Sequence, residues 1–84
     1  MSAMWGHVDS VTTKSTGTST LVVTTTSPSG TRYTELLVQE DTDILKGFQR
    51  LQLDEILPGE FVVATVEEQA GQWWTQRIDI IIFP

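Results

Sequence analysis

The chain has no cysteine. Disulfides, thiolate metal sites and cysteine nucleophiles are therefore excluded, and stability has to come from an apolar core or from an interface with another chain. Cations are also scarce: five Lys and Arg stand against eleven Asp and Glu, a formal net charge of −6. Lys14, Arg32, Lys46, Arg50 and Arg77 are scattered singly, with no basic stripe. Phosphate neutralisation supplies most non-specific affinity for nucleic acid, so this balance argues against DNA and RNA, and against anionic membrane surfaces. Long apolar runs are missing too. Runs such as Ile80–Phe83 fall far short of a membrane span. The start, MSAMWGHVDS, has neither the basic opening nor the apolar stretch of a signal peptide, so a cytoplasmic location is expected. With a single histidine, a catalytic zinc site would need a carboxylate-rich shell, and no cofactor or metal is expected.

What is present is the composition of a small β domain. Eighty-four residues make one domain, 1–84, near the lower limit for folding without a staple. The stretch Leu53–Val66, LDEILPGEFVVATV, constrains the rest most. Leu53, Ile56 and Leu57 share a face at helical spacing, but Pro58 limits any helix there to one turn. Pro58-Gly59 is a sharp reversal, and the β-branched run after it is a strand. Further strands are expected over Trp5–Thr13, Thr18–Thr26, Thr31–Gln39 and Trp73–Phe83, with turns at Lys14–Thr18, Ser27–Gly30, Glu40–Asp43, Lys46-Gly47 and Glu68–Gln72. The odd spacing of Val8 and Val11 predicts a bulge near Asp9-Ser10. In the third strand, alternation assigns Leu36 and Val38 to the core side. Together these features predict an all-β, five- to six-stranded OB-like barrel with at most one short helical turn, closed or nearly closed so as to hide its edges.

The order of elements also carries a resemblance. Gly6-His7-Val8 opens the first strand, Ser19–Thr25 (STLVVTT) forms the second, Asp41–Ile44 reads D-T-x-I, and Leu53–Val62 reads L-x-x-I-x-P-G-E-x-V. Over roughly Gly6–Val66 the chain resembles a bacterial domain family of unknown function with a small OB-like barrel. The resemblance implies a fold and no catalytic residue. The acidic charge and the Trp73-Trp74 pair depart from the family pattern.

Three groups of residues bear on function. His7 and Asp9 lie two apart on one strand, but general base chemistry also needs a nucleophile or metal that nothing nearby supplies. Glu40, Asp41 and Asp43 crowd three carboxylates into one turn without the loop spacing of a calcium site, and read as a solvated turn. Trp73-Trp74 is the more informative pair, because adjacent strand residues point to opposite faces. One of them left exposed beside Arg77 and Tyr33 could stack a sugar, a base or a partner's side chain; alternatively, Trp73 packs under a loop or across a neighbouring strand. Strict alternation puts Trp74, Gln76, Ile78, Ile80 and Ile82 on one face of the last strand, and Trp73, Thr75, Arg77, Asp79, Ile81 and Phe83 on the other. That strand ends in an apolar tail. Ile80, Ile81 and Phe83 are the expected interface, covered by a second copy or a protein partner, unless Met1–Trp5 covers them within one chain. The expectation is a binding or assembly module without catalysis, with a carbohydrate-type ligand site at the tryptophans as the alternative.

Overall fold

Strands account for most of the chain in the computed structural model, which describes residues 1–14 and 17–83. In order they are β1 (Ser2–Thr12), β2 (Ser19–Ser27), β3 (Gly30–Lys46), β4 (Gln49–Arg50), β5 (Phe61–Gln69) and β6 (Gln72–Ile81), with one 3₁₀ turn at Leu53–Glu55. Part of the turn expected over Lys14–Thr18 lies outside the described residues. Hydrogen bonding runs β1–β2–β3–β6–β5 and back to β1, so five strands close a ring and the short β4 hangs on the end of β3. Every pairing is antiparallel except β3 with β6. This is the OB-like barrel that the strand composition predicts. No helix is long and apolar enough to cross a membrane.

The inner face is uniformly aliphatic. Val8, Leu21, Val23, Leu36, Val38 and Ile44 come from the first three strands, and Val62, Ala64, Val66, Ile78 and Ile80 from the last two. Ile56, just past the 3₁₀ turn, enters the core from outside the strands. The Pro58-Gly59 reversal then sends the chain into β5, with Gly59 at φ 90 where an L side chain would be strained. Gly59 donates its N–H to the Val8 carbonyl and Val8 donates to the Glu60 carbonyl, which locks the corner onto β1.

Three irregularities set which side chains face out. In β1, Val8 pairs with Val23 and Ser10 with Val22, so Asp9 is extra, at the bulge the valine spacing predicts. In β6, Thr65 pairs with Arg77 but Val66 with Thr75, so Gln76 has no opposite residue. This corrects the strict alternation expected for the last strand: the bulge switches phase, putting Thr75 inside with Ile78 and Ile80, while Ile82, past the end of β6, is exposed. In β3 the expected acidic turn is an excursion within a single long strand: pairing to β6 jumps from Val38 to Asp43. Thr42 pins its base, accepting the Gln39 N–H at 3.0 Å and donating to the Thr75 carbonyl at 2.9 Å.

Closure also bears on the last strand. β6 is not an edge: β5 and β3 take both its sides, so the strand cannot be extended by pairing with another chain. Met1–Trp5 does not cover its end either, because β1 lies edge-on to β5 over Ser2–His7.

Candidate functional site

The outer surface of the barrel holds one contiguous apolar region, and cross-strand register builds it. His7 pairs with Phe61, and Phe61 with Ile81; one step along, Trp5 pairs with Val63 and Val63 with Asp79. Their neighbours Val8, Val62 and Ile80 fill the core, so alternation turns this set outward. The rings meet edge to face: His7 and Phe61 at 5.3 Å between centroids, Phe61 and Phe83 at 5.8 Å. Such T-shaped contacts place the positive ring edge on the negative face. Phe83 lies past the end of β6 and folds back onto Phe61. The outermost groups remain in water: Trp5 is 57% exposed, Ile82 61% and Phe83 67%.

A shallow concavity of about 340 Å³ lies among His7, Phe61, Ile81 and Phe83, with Lys46 and Glu60 at its side. The two charges are already matched. The Lys46 ammonium donates to Glu60 Oε2 at 2.9 Å, and Glu60 Oε1 accepts the Leu57 N–H at 2.8 Å. The Leu57 N–H above all, and then Lys46, hold the Glu60 carboxyl below its ordinary value despite partial burial. The concavity is therefore apolar with one neutralised pair on its rim.

The expected stacking residues do not meet. Trp73 is half-buried and packs against the core. Trp74 is half-buried on the outer face, between Leu37 on β3 and Glu67 on β5. Tyr33, 65% exposed, sits beside Thr24 of β2, and its four-residue separation from Leu37 amounts to about 13 Å of strand. Arg77 is exposed, but its guanidinium grips Asp79 through Nε at 2.9 Å and Nη2 at 3.0 Å. That bond raises the already high pKa of Arg77. Of the expected interface residues, Ile81 and Phe83 belong to the apolar region, whereas Ile80 is 3% exposed and lies in the core.

The polar groups singled out in the sequence lie apart from one another. His7 turns its ring onto Phe61, and Asp9 is the β1 bulge residue. Asp43 accepts from Arg50 at 2.7 Å, while Glu40 and Asp41 point outward from the β3 excursion. Among the described residues, no three of His, Asp and Glu come together closely enough to hold a metal ion. Trp5, His7, Phe61 and Ile82 are the members of the apolar region that sequence reasoning misses. Only Trp5 and His7, two apart on a strand, carry a local signal; Phe61 and Phe83 join them through pairings across more than fifty residues of chain.

Compared with models of known protein families, with curated proteins and with solved structures, the chain matches none.

Proposed function

We propose that the chain is a non-catalytic assembly module that binds protein through the outer face centred on Phe61. The observation that carries this reading is the exposed run Trp5, Ile81, Ile82 and Phe83, continuous with the His7–Phe61–Phe83 stack. A contiguous exposed apolar region with aromatic centres is the composition of a contact surface, and Trp and Phe supply large area at small entropic cost. The surrounding charges, Lys46 with Glu60 and Arg77 with Asp79, are paired within the chain, which suits a rim rather than a reacting centre. The proposal keeps the resemblance to the bacterial OB-like family, whose L-x-x-I-x-P-G-E-x-V segment is here the 3₁₀ turn and its junction with β5.

In the absence of another partner, a second copy covers this face. Light scattering across a concentration series tests it. The intact protein is expected to rise above the 9.4 kDa of one chain. The double variant Ile82→Ser, Phe83→Ser is expected to stay at one chain with unchanged thermal unfolding, since neither side chain is in the core. A single-chain mass for both proteins at every concentration would sink the reading.

A further inference from the structure

The ring is complete at its middle but parts at one end, between β1 and β2. Their pairing begins at His7 with Thr24 and runs away from the N-terminus, whereas β1 starts at Ser2 and β2 continues to Ser27. Ser2–Trp5 is therefore paired on one side only, to β5. Backbone groups alternate along a strand, and Val8 gives both of its groups to the β5 side. By that alternation the N–H and C=O of Ala3 and the N–H of Trp5 point into the gap; the Trp5 carbonyl accepts the Thr25 hydroxyl at 3.2 Å. Thr26 faces the gap from the other side: Ser27 and Gly30 close the two-residue hairpin, so by alternation Ser27 and Thr25 bond to β3 while Thr26, opposite Thr31, turns its N–H and C=O the other way.

The gap is also a cleft. A concavity of about 530 Å³ runs between Met4 and the β2–β3 hairpin, bordered by Thr25, Ser27, Thr31 and Arg32. Met4 packs against the core and supplies an apolar floor. Arg32 pairs in register with Thr25, on the side of the sheet that carries Leu36 and Val38, and it makes no ion pair among the described residues. The exposed edge itself is uncharged: Ser2, Ala3, Met4 and Trp5 carry none of the lysines, prolines or inward charges by which natural sheets protect an edge.

We infer that this gap is a strand-acceptor site, which takes an extended segment of a partner protein onto the Ser2–Trp5 edge of β1. Unsatisfied N–H and C=O groups at strand spacing recognise extended backbone whatever its sequence, and the pockets beside them choose alternate side chains. One set of partner side chains faces the cleft, where Arg32 favours a carboxylate; the other lies outward beside Trp5 and is apolar. The partner segment is therefore extended, with apolar and acidic residues alternating. This site shares Trp5 with the Phe61 face but uses backbone and the Met4–Arg32 cleft instead of Phe61, Ile82 and Phe83, so either can fail without the other.

The test is a proton–nitrogen NMR titration of the intact chain with the blocked heptapeptide Ser-Val-Glu-Val-Thr-Val-Ser. The amides of Ala3, Trp5 and Thr26 are expected to shift and to gain protection from exchange. N-methylating one alternate set of peptide amides removes two strand hydrogen bonds and weakens binding about tenfold, whereas the other set has little effect. A lysine in place of the peptide glutamate weakens binding about threefold, and Arg32→Gln abolishes that preference, the size expected for an exposed ion pair. The Phe83→Ser variant binds the peptide as the intact chain does. Unmoved Ala3 and Trp5 amides, equal binding by both methylated peptides, or shifts confined to Phe61 and Phe83 would each overturn the inference. So would protection of Ala3 and Trp5 that grows with protein concentration alone, because a second copy would then be the occupant.

Discussion

Gly6 is the position in β1 where a side chain meets backbone. A Cβ built there comes 2.4 Å from the Thr24 carbonyl oxygen and 2.6 Å from Val23 Cγ1, distances that real contacts do not reach. The glycine is explained by the close approach of β2. Gly6→Ala is expected to force the strands apart and to cost about 1–3 kcal/mol, read as a lower midpoint in denaturant. Two buried threonines behave in opposite ways. Thr42 uses its hydroxyl twice, so Thr42→Val leaves the Gln39 N–H and the Thr75 carbonyl without it, at about 1–3 kcal/mol. The Thr75 hydroxyl, equally enclosed, has no hydrogen-bond partner among the described residues. Thr75→Val keeps the shape, removes a polar atom from an apolar interior and is expected to be neutral or to stabilise by up to about 1 kcal/mol. Thermal unfolding of the two variants side by side decides whether the hydroxyls differ as their bonding says.

At the scale of elements, Glu60 ties the corner before β5 to the end of β3. Its carboxylate bonds the Leu57 N–H in the corner before β5 and the Lys46 ammonium at the end of β3. Because its pKa in the folded chain lies below the ordinary 4.5, the folded state holds the ionised form more tightly than the unfolded chain does. The stabilisation is complete above that ordinary value and is lost as pH falls through the lower, folded one. Chemical denaturation is expected to show stability dropping below about pH 4.5, with a smaller drop in Glu60→Gln. The corner that carries Glu60 is where sequence reading worked well. Pro58-Gly59 declares the corner, the β-branched run after it declares β5, and glycine or proline marks the Ser27–Gly30 hairpin, because each signal is local. The phase of β6 was not legible. Nothing in Trp73–Phe83 says that Gln76 is the extra residue; the bulge exists because β5 and β3 hold the two halves of β6 in different registers. The same holds for the acidic excursion, whose composition says turn while its flanks, Val38 and Asp43, stay in one strand paired to β6. The Phe61 face was half legible: the apolar tail shows in the sequence, but the aromatic partners it meets are brought by register alone.

For the whole molecule, charge and apolar surface pull in opposite directions. A net charge of −6 repels a second copy, while the Phe61 face draws it in. Added salt screens the repulsion over roughly 10 Å at 0.1 M, so association through this face is expected to strengthen with ionic strength. Light scattering at low and moderate salt reads the difference directly, and a mass that falls as salt rises would instead mean that charge pairing holds the copies together. The β1 edge is the opposite case, since it offers hydrogen bonds that salt does little to alter. Together the two surfaces make an apolar face for packing and a short open edge for pairing, on one barrel.

The position of β6 has a consequence for how the molecule comes into being. Its two neighbours in the ring, β3 and β5, are made before it and bond to nothing between them until it arrives. A chain emerging from the ribosome can form the β1–β2–β3 meander and lay β5 against β1, yet it carries two bare edges through all of that time. The last strand acts as a bolt drawn between them: it meets β5 through a tight hairpin and β3 through parallel pairings distant in sequence, which are slow to form. Ring closure therefore waits on β6, and until it pairs with both neighbours the aliphatic interior is open along one side.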